Sequence, residues 1–185
     1  MNYLVNKKIM AILPFILFIL LMVYLWKSLS LNPQELPSAL LNKSVPTFTA
    51  YSLIKPQQII TQKIFLGEIT LLHVWASWCN VCESEKPFLN ELIKQYPIKL
   101  IGLNYKDTHQ QALTKVKQEN PYEEIIEDLT GKIGMDLGVY GTPETFLIDN
   151  TGIIRYRYAG KLTIQIWQKQ FLPLIEALNL NPKMK

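Results

Sequence analysis

The stretch ITLLHVWASWCNVCESEKP, residues 69–87, decides the fold. Ile69 to Trp75 is a nearly continuous apolar run, the pattern of a central strand covered on both faces. The only two cysteines of the chain, Cys79 and Cys82, follow it directly. A helix is expected from about Asn80, with Leu89, Leu92, Ile93 and Tyr96 at helical spacing along one face. A strand that passes into a helix through C-x-x-C places Cys79 where free N–H groups and the helix dipole favour a thiolate. Cys82, one turn further on, is expected to face the interior and to act as the resolving thiol.

Four uses of such a pair have to be separated: a metal clip, a structural staple, a haem attachment point and a redox dithiol. A structural zinc site takes four N or S ligands. The chain has two Cys and two His, with His73 inside the predicted strand and His109 at a helix start. No second ligand pair stands at ribbon spacing, so no metal is expected. Haem attachment takes C-x-x-C-H, and residue 83 is Glu. A staple closing so short a loop removes little entropy from the unfolded chain. A redox dithiol remains, with no cofactor implied. C-x-x-C alone is a weak signal; strand, W-C-x-x-C and helix together are a strong one.

Outward from this stretch, short strands alternate with helices. Phe48 to Tyr51 and Ile64 to Leu66 read as brief edge strands, and Ile98 to Asn104 as a second buried strand. Asp107 with Gln110 three residues later is a capping-box pattern opening a helix to about Glu119. Glu124 to Asp128 reads as a short strand, and Ile133 to Leu137 as a short helix stopped by Gly138. Thr145 to Ile148 and Ile153 to Tyr158 flank DNTG, a hairpin signal. Thr163 opens a last helix that offers Ile166, Trp167, Leu174, Ile175 and Leu178 to the core. Parallel strands with crossover helices, ending in a hairpin and a helix, make an α/β domain with a mixed central sheet flanked by helices.

Composition fits one domain with an appendage: 185 residues, 49% hydrophobic and 18% charged. The net charge of +4 is unevenly placed, because residues 44–180 carry 13 basic and 14 acidic side chains. With no basic stripe to track phosphates, nucleic-acid binding is set aside. Ile9 to Trp26 carries no charge and is just long enough to cross a hydrocarbon core as a helix. Lys7 and Lys8 before it favour a cytoplasmic start, and Tyr24 and Trp26 suit the far interface. Pro14 is tolerable in a membrane helix. Ser28-Leu29-Ser30 is a weak cleavage signal, so an uncleaved anchor is expected. The expected organisation is a cytoplasmic N-terminus (1–8), an anchor (9–26), a juxtamembrane linker with Pro33 and Pro37 (27–43) and the folded body (44–185). An exported body would meet an environment where disulfides persist.

The body resembles a known family. Trp75, Ala76, Trp78, Cys79 and Cys82 match a thioredoxin-like active site, with Pro87 at the kink of its first helix. GVYGTPETFLID, residues 138–149, resembles the signature of the DsbE/CcmG group of cytochrome c maturation proteins. NYKD (104–107), NPY (120–122) and GIIRYRYAG (152–160) extend the match, which runs from about Val45 to Leu178. The resemblance implies a thioredoxin-like fold on a single-pass protein of the bacterial inner membrane, its C-terminal domain in the periplasm. It implies a reductant of apocytochrome c, or of a maturation-factor thiol protein, that is itself re-reduced by a DsbD/CcdA-type transmembrane donor.

Residue by residue, the resemblance makes Cys79 and Cys82 the redox-active pair. Pro143 corresponds to a cis-proline opposite them, and Trp78, Thr142 and Pro143 to the substrate-binding rim, Thr142 offering backbone groups to an extended substrate. Glu85 and Glu144 are the implied catalytic acids near the dithiol, Glu85 as a proton relay to Cys82. Glu83 needs no such role, since acids favour a first helical turn. Carboxylates near Cys79 oppose a thiolate, which argues for a potential nearer thioredoxin's, about −270 mV, than DsbA's, about −120 mV. Two departures stand out: Asn80-Val81 between the cysteines, where the family usually begins with proline, and His73, where relatives usually carry Asn. His73 could serve Cys82 as a base or fill the core with one hydrogen bond. His109 reads as a surface residue. A broader TlpA-type reductase and a non-catalytic docking module for the apocytochrome segment are the alternative functions.

Overall fold

A computed structural model describes residues 2–29 and 40–180, in two units, Met1–Glu35 and Leu36–Lys185. Most of the expected linker, residues 30–39, lies outside the described residues, as do residues 1 and 181–185. The described residues of the first unit form one helix, α1 (Asn2–Leu29), with Pro14 inside it. Its side chains are described from Ile12 to Lys27, and the apolar ones among them are exposed. Among the described residues no helix is long and apolar enough to cross a membrane.

The second unit is built on β3 (Thr70–Trp75), every residue of which is buried. Parallel to it run β4 (Lys99–Tyr105) and, beyond that, β5 (Glu124–Asp128). On its other side β6 (Glu144–Ile148) pairs antiparallel with β3, and β7 (Ile154–Ala159) closes the hairpin, for a strand order β5-β4-β3-β6-β7. This is the mixed sheet read from the sequence. Successive β3 side chains feed opposite cores. Leu71 and Trp75 pack with Leu89, Leu92, Trp167 and Phe171 on the helix face. Leu72 and Val74 pack with Phe65, Leu103, Phe146 and Ile148 on the other. Each such fully buried side chain contributes about 1.5–3 kcal/mol.

The helix face is covered by α2 (Asn80–Glu83), α3 (Lys86–Gln95) and α4 (His109–Gln118), and by a C-terminal helical segment of α6 (Ile164–Ile166), a widened turn (Trp167–Phe171) and α7 (Leu172–Leu180). The helix expected from Asn80 is thus two segments. Pro87 has no N–H to offer the Glu83 carbonyl, so the ladder breaks there and α3 restarts with Pro87 in its first turn. In the last helix Leu172 N–H reaches back to the Trp167 carbonyl, five residues away. The wider turn relieves the crowding that Pro173 would impose on the Lys169 carbonyl. Thr163 caps this segment, its hydroxyl accepting from Ile166 N–H.

Two local expectations are corrected. Ile64 to Leu66 is not a strand: Gln62–Phe65 forms a 3-10 turn, which drives Phe65 fully into the core against Phe48, ring centroids 6.2 Å apart. The edge pair is instead β1 (Thr49–Tyr51) with β2 (Ile59–Thr61). Asp107 does not cap α4, whose N-cap is Thr108; its carboxylate is drawn to the cysteine loop. The expected short helix forms as α5 (Lys132–Asp136), and Gly138, at φ +74°, follows it where a left-handed residue ends the turn.

Candidate active site

The cysteine loop leaves the C-terminal end of β3 and enters α2, with Cys79 as the N-cap. Cys79 and Cys82 form a disulfide, Cα atoms 5.3 Å apart. The Cys82 N–H points at Cys79 Sγ, 3.1 Å away, as an N-cap acceptor should receive it. Cys82 has no exposed surface and Cys79 keeps 6%, so an incoming group meets Cys79.

The loop before Cys79 is tied to the end of β4. The Asp107 carboxylate accepts from the Ser77 N–H and hydroxyl, from Asn104 and from Thr108 N–H. Burial works to raise this carboxyl, but the four donors outweigh it and hold it below its ordinary value. Trp78 donates its indole N–H to the Lys106 carbonyl at 3.1 Å and stays largely exposed, as does Val81. Next to it runs a groove of about 340 Å³ lined by Ser77, Trp78, Gln110, Gln111, Thr114 and Lys115. A second cavity, about 680 Å³, lies across β1, β2 and α5 and includes no residue of the cysteine loop.

The Thr142–Pro143 peptide is cis. The register that pairs Val74 with Glu144 carries Pro143 to the end of β3 from which the cysteine loop departs. Glu144 shares the Val74 side of the sheet. Its Oε1 accepts from Tyr140 and Gly141 N–H, and its Oε2 receives Nε and Nη2 of Arg157 at 2.9 and 2.8 Å. The Arg157 guanidinium lies over the Tyr140 ring, 4.6 Å from its centroid. Glu144 therefore ties the proline loop to β7.

Glu85 stands on the opposite face, at the break between α2 and α3. It is fully buried, and its Oε1 accepts from Leu162 N–H at 2.7 Å. Its Oε2 faces Nε2 of His73 at 3.4 Å, and His73 Nδ1 meets the Tyr122 hydroxyl at 2.8 Å. The Tyr122 ring is stacked on those of both His73 and Trp75, centroids 5.8 and 5.6 Å away. Burial, then the charges of Glu85, Glu83 and Glu119, raise the Tyr122 phenol well above its ordinary value. Burial and Glu85 raise Tyr158 likewise. Lys86, also buried, pairs with Glu83 at 2.9 Å and lies over Trp75.

Of the residues singled out in the sequence, Cys79, Cys82, Trp78, Thr142 and Pro143 gather at the C-terminal end of β3, with Glu85 buried on the helix face. Glu144 adjoins Pro143 but points into the other core. His109 is part-exposed and paired with Glu127. The place of Asp107 at the cysteine loop, and the roles of Tyr122 and Arg157, emerge only in the folded structure. Each sits inside a stretch that carried the family resemblance, NYKD, NPY and GIIRYRYAG, and that was the available signal. Among the described residues no group of three or more His, Cys, Asp or Glu side chains could hold a metal.

A bonded C-x-x-C pair that caps a helix at the end of the central strand of a thioredoxin-like sheet defines a thiol:disulfide oxidoreductase. Residues 41–157 match the AhpC/TSA family model. The chain is 45% identical over 179 residues to the thiol:disulfide interchange protein DsbE of Vibrio cholerae, covering 94% of this chain and 96% of the relative. It is 42% identical over 177 residues to DsbE of Escherichia coli K12, covering 92% and 95%. A crystal structure of a thio-disulfide isomerase from Thermus thermophilus, 21% identical, shares the fold with a TM-score of 0.60, over 77% of this chain and 96% of its own. The chain belongs to the AhpC/TSA family and, within it, to the DsbE thiol:disulfide interchange proteins.

Proposed function

We propose that this protein is a membrane-anchored periplasmic reductant in cytochrome c biogenesis, acting on disulfides of apocytochrome c or of a maturation-factor thiol protein. The unequal burial of the two sulfurs carries the chemistry. In the dithiol form the Cys79 thiolate, held at a helix N-terminus, attacks the substrate disulfide, and one substrate sulfur leaves as a thiolate. Cys82 then gives its proton to Glu85 and attacks Cys79 Sγ. The mixed disulfide breaks, the Cys79–Cys82 bond forms, and the second substrate sulfur leaves. Two electrons pass to the substrate, whose thiolates take their protons from water.

Trp78, Thr142 and Pro143 form the rim on which an extended segment lies, strand against strand. Glu144 keeps that rim in place through Tyr140, Gly141 and Arg157. The uncharged run Ile9 to Trp26, with exposed apolar side chains from Ile12 onward, supports an anchor in the inner membrane through residues 9–26 and a thioredoxin-like domain spanning 44–185 outside it. A DsbD/CcdA-type transmembrane donor would restore the dithiol. The similarity to DsbE proteins over nearly the whole chain supports this assignment.

Trapping tests it. The full chain carrying Cys82→Ser should accumulate a mixed disulfide between Cys79 and an apocytochrome or a maturation-factor thiol protein. Capture of unrelated exported clients alone would point to a broader TlpA-type reductase. Apocytochrome binding and maturation that survive loss of both cysteines would establish a docking module instead.

A further inference from the structure

We propose that His73 is a positioning residue that holds Glu85 ready as the proton acceptor for Cys82. The inference rests on the reading that Glu85 serves Cys82, and it adds a residue that this role recruits from the centre of the sheet.

Glu85 Oε1 is committed to the Leu162 N–H, a donor that cannot withdraw. That leaves Oε2 to be oriented, and it faces His73 Nε2 at 3.4 Å, with no other hydrogen-bond partner for either atom among the described residues. Neither side chain has exposed surface, so bulk solvent does not reach the pair. A carboxylate and a ring lone pair cannot face each other dry without a proton between them. The Tyr122 hydroxyl is suited to a ring proton on Nε2. Its phenol stays protonated, since burial and the carboxylates of Glu85, Glu83 and Glu119 disfavour its ionisation. A proton on Nε2, aimed at Oε2, leaves Nδ1 to accept from this hydroxyl at 2.8 Å, so the ring is joined on both sides. The contact is long in this disulfide form, as catalytic hydrogen bonds often are before the reacting state. When Glu85 takes the Cys82 proton, the neutral acid keeps both donors and only the new O–H is added.

The other charged or titratable groups around the pair do not replace it. Glu83 is joined to Lys86 at 2.9 Å, with Lys115 at 3.8 Å. Glu119 is bonded to Asn90, and the Tyr158 phenol is, like Tyr122, kept protonated by burial and Glu85.

The test follows the release of a mixed disulfide preformed on Cys79 of the full chain, across pH. His73→Leu should slow release about tenfold at neutral pH, the effect of losing a hydrogen bond to a charged group, and move the acid limb of the profile to higher pH. His73→Gln, whose amide can donate in place of Nε2–H, should recover most of both. Ring ¹⁵N spectra of the wild-type protein, which need no variant to fold, should show the Nε2–H form in the dithiol and disulfide states. An Nδ1–H form, or a His73→Leu profile equal to wild type while Glu85→Gln is slow, overturns the role of His73 and leaves Glu85 acting alone. Release by Glu85→Gln at the wild-type rate and profile overturns the underlying reading of Glu85, and this inference with it.

Discussion

Glu144 and Arg157 form a buried ion pair across the β6–β7 hairpin, Oε2 to Nη2 2.8 Å, with 2% and 4% of their side chains exposed. The same carboxylate holds the backbone of Tyr140 and Gly141, two and one residues before the cis Thr142–Pro143 peptide. A pair so placed couples the rim of the site to the last strand.

Removing one partner leaves the other charge buried, a change that costs about 3–5 kcal/mol. Arg157→Ala is therefore expected to lower unfolding free energy by that order in a denaturant titration. A milder change, Arg157→Lys, loses the two-pronged contact and should raise KM for a protein disulfide more than it lowers kcat.

Asp107 gives the cysteine loop an acid-sensitive tie. Burial would raise its carboxyl, but Ser77, Asn104 and Thr108 pull it below its ordinary value of 3.8. A depressed carboxylate stabilises the fold at pH above its unfolded value, and that stability is lost as pH falls through the folded value. The stability gap between wild type and Asp107→Asn should thus be constant near neutrality and shrink below about pH 4. Asp149 is depressed in the same way by Thr151, Ile153 and Arg155, against its own burial. Some acid sensitivity should therefore persist in Asp107→Asn. Equilibrium unfolding at several pH values checks both statements.

How much of this was legible beforehand differs by residue. The six buried positions of β3 could be read from ITLLHVW because a strand covered on both faces has no polar side to hide. The cysteines could be placed because strand, C-x-x-C and helix are contiguous. The approach of His73 to Glu85 could not be placed, since it depends on how a helix break twelve residues later lies over the sheet. Nor could the partner of Glu144: Arg157 is opposite Phe146 in the hairpin register, and only the register reveals it. The region of Ile64 misled because its alternation suits an edge strand, whereas burial of Phe65 favours a turn. Asp107 misled because a capping box is a local pattern, and the Ser77 donors thirty residues away compete for the same oxygens.

The reduction potential separates a reductant from an oxidant. Glu83 ends the helix that Cys79 caps and Glu85 stands at the break just after it, and negative charge there disfavours the thiolate that makes an oxidising dithiol. Equilibration with glutathione buffers should give a value nearer about −270 mV than about −120 mV. A value above about −180 mV would remove the reductant assignment. Asn80→Pro, which preorganises the first helical position, measures how far the segment between the sulfurs shifts it.

The most direct measurement is the reaction of the purified full-length dithiol protein with an oxidised peptide bearing an apocytochrome C-x-x-C-H segment. One protein dithiol should reduce one peptide disulfide. Cys79→Ser should abolish the reaction, and Cys82→Ser should stop it at a mixed disulfide on Cys79. A peptide that stays oxidised while the protein keeps its dithiol, or is reduced equally well by Cys79→Ser, would contradict the proposed function.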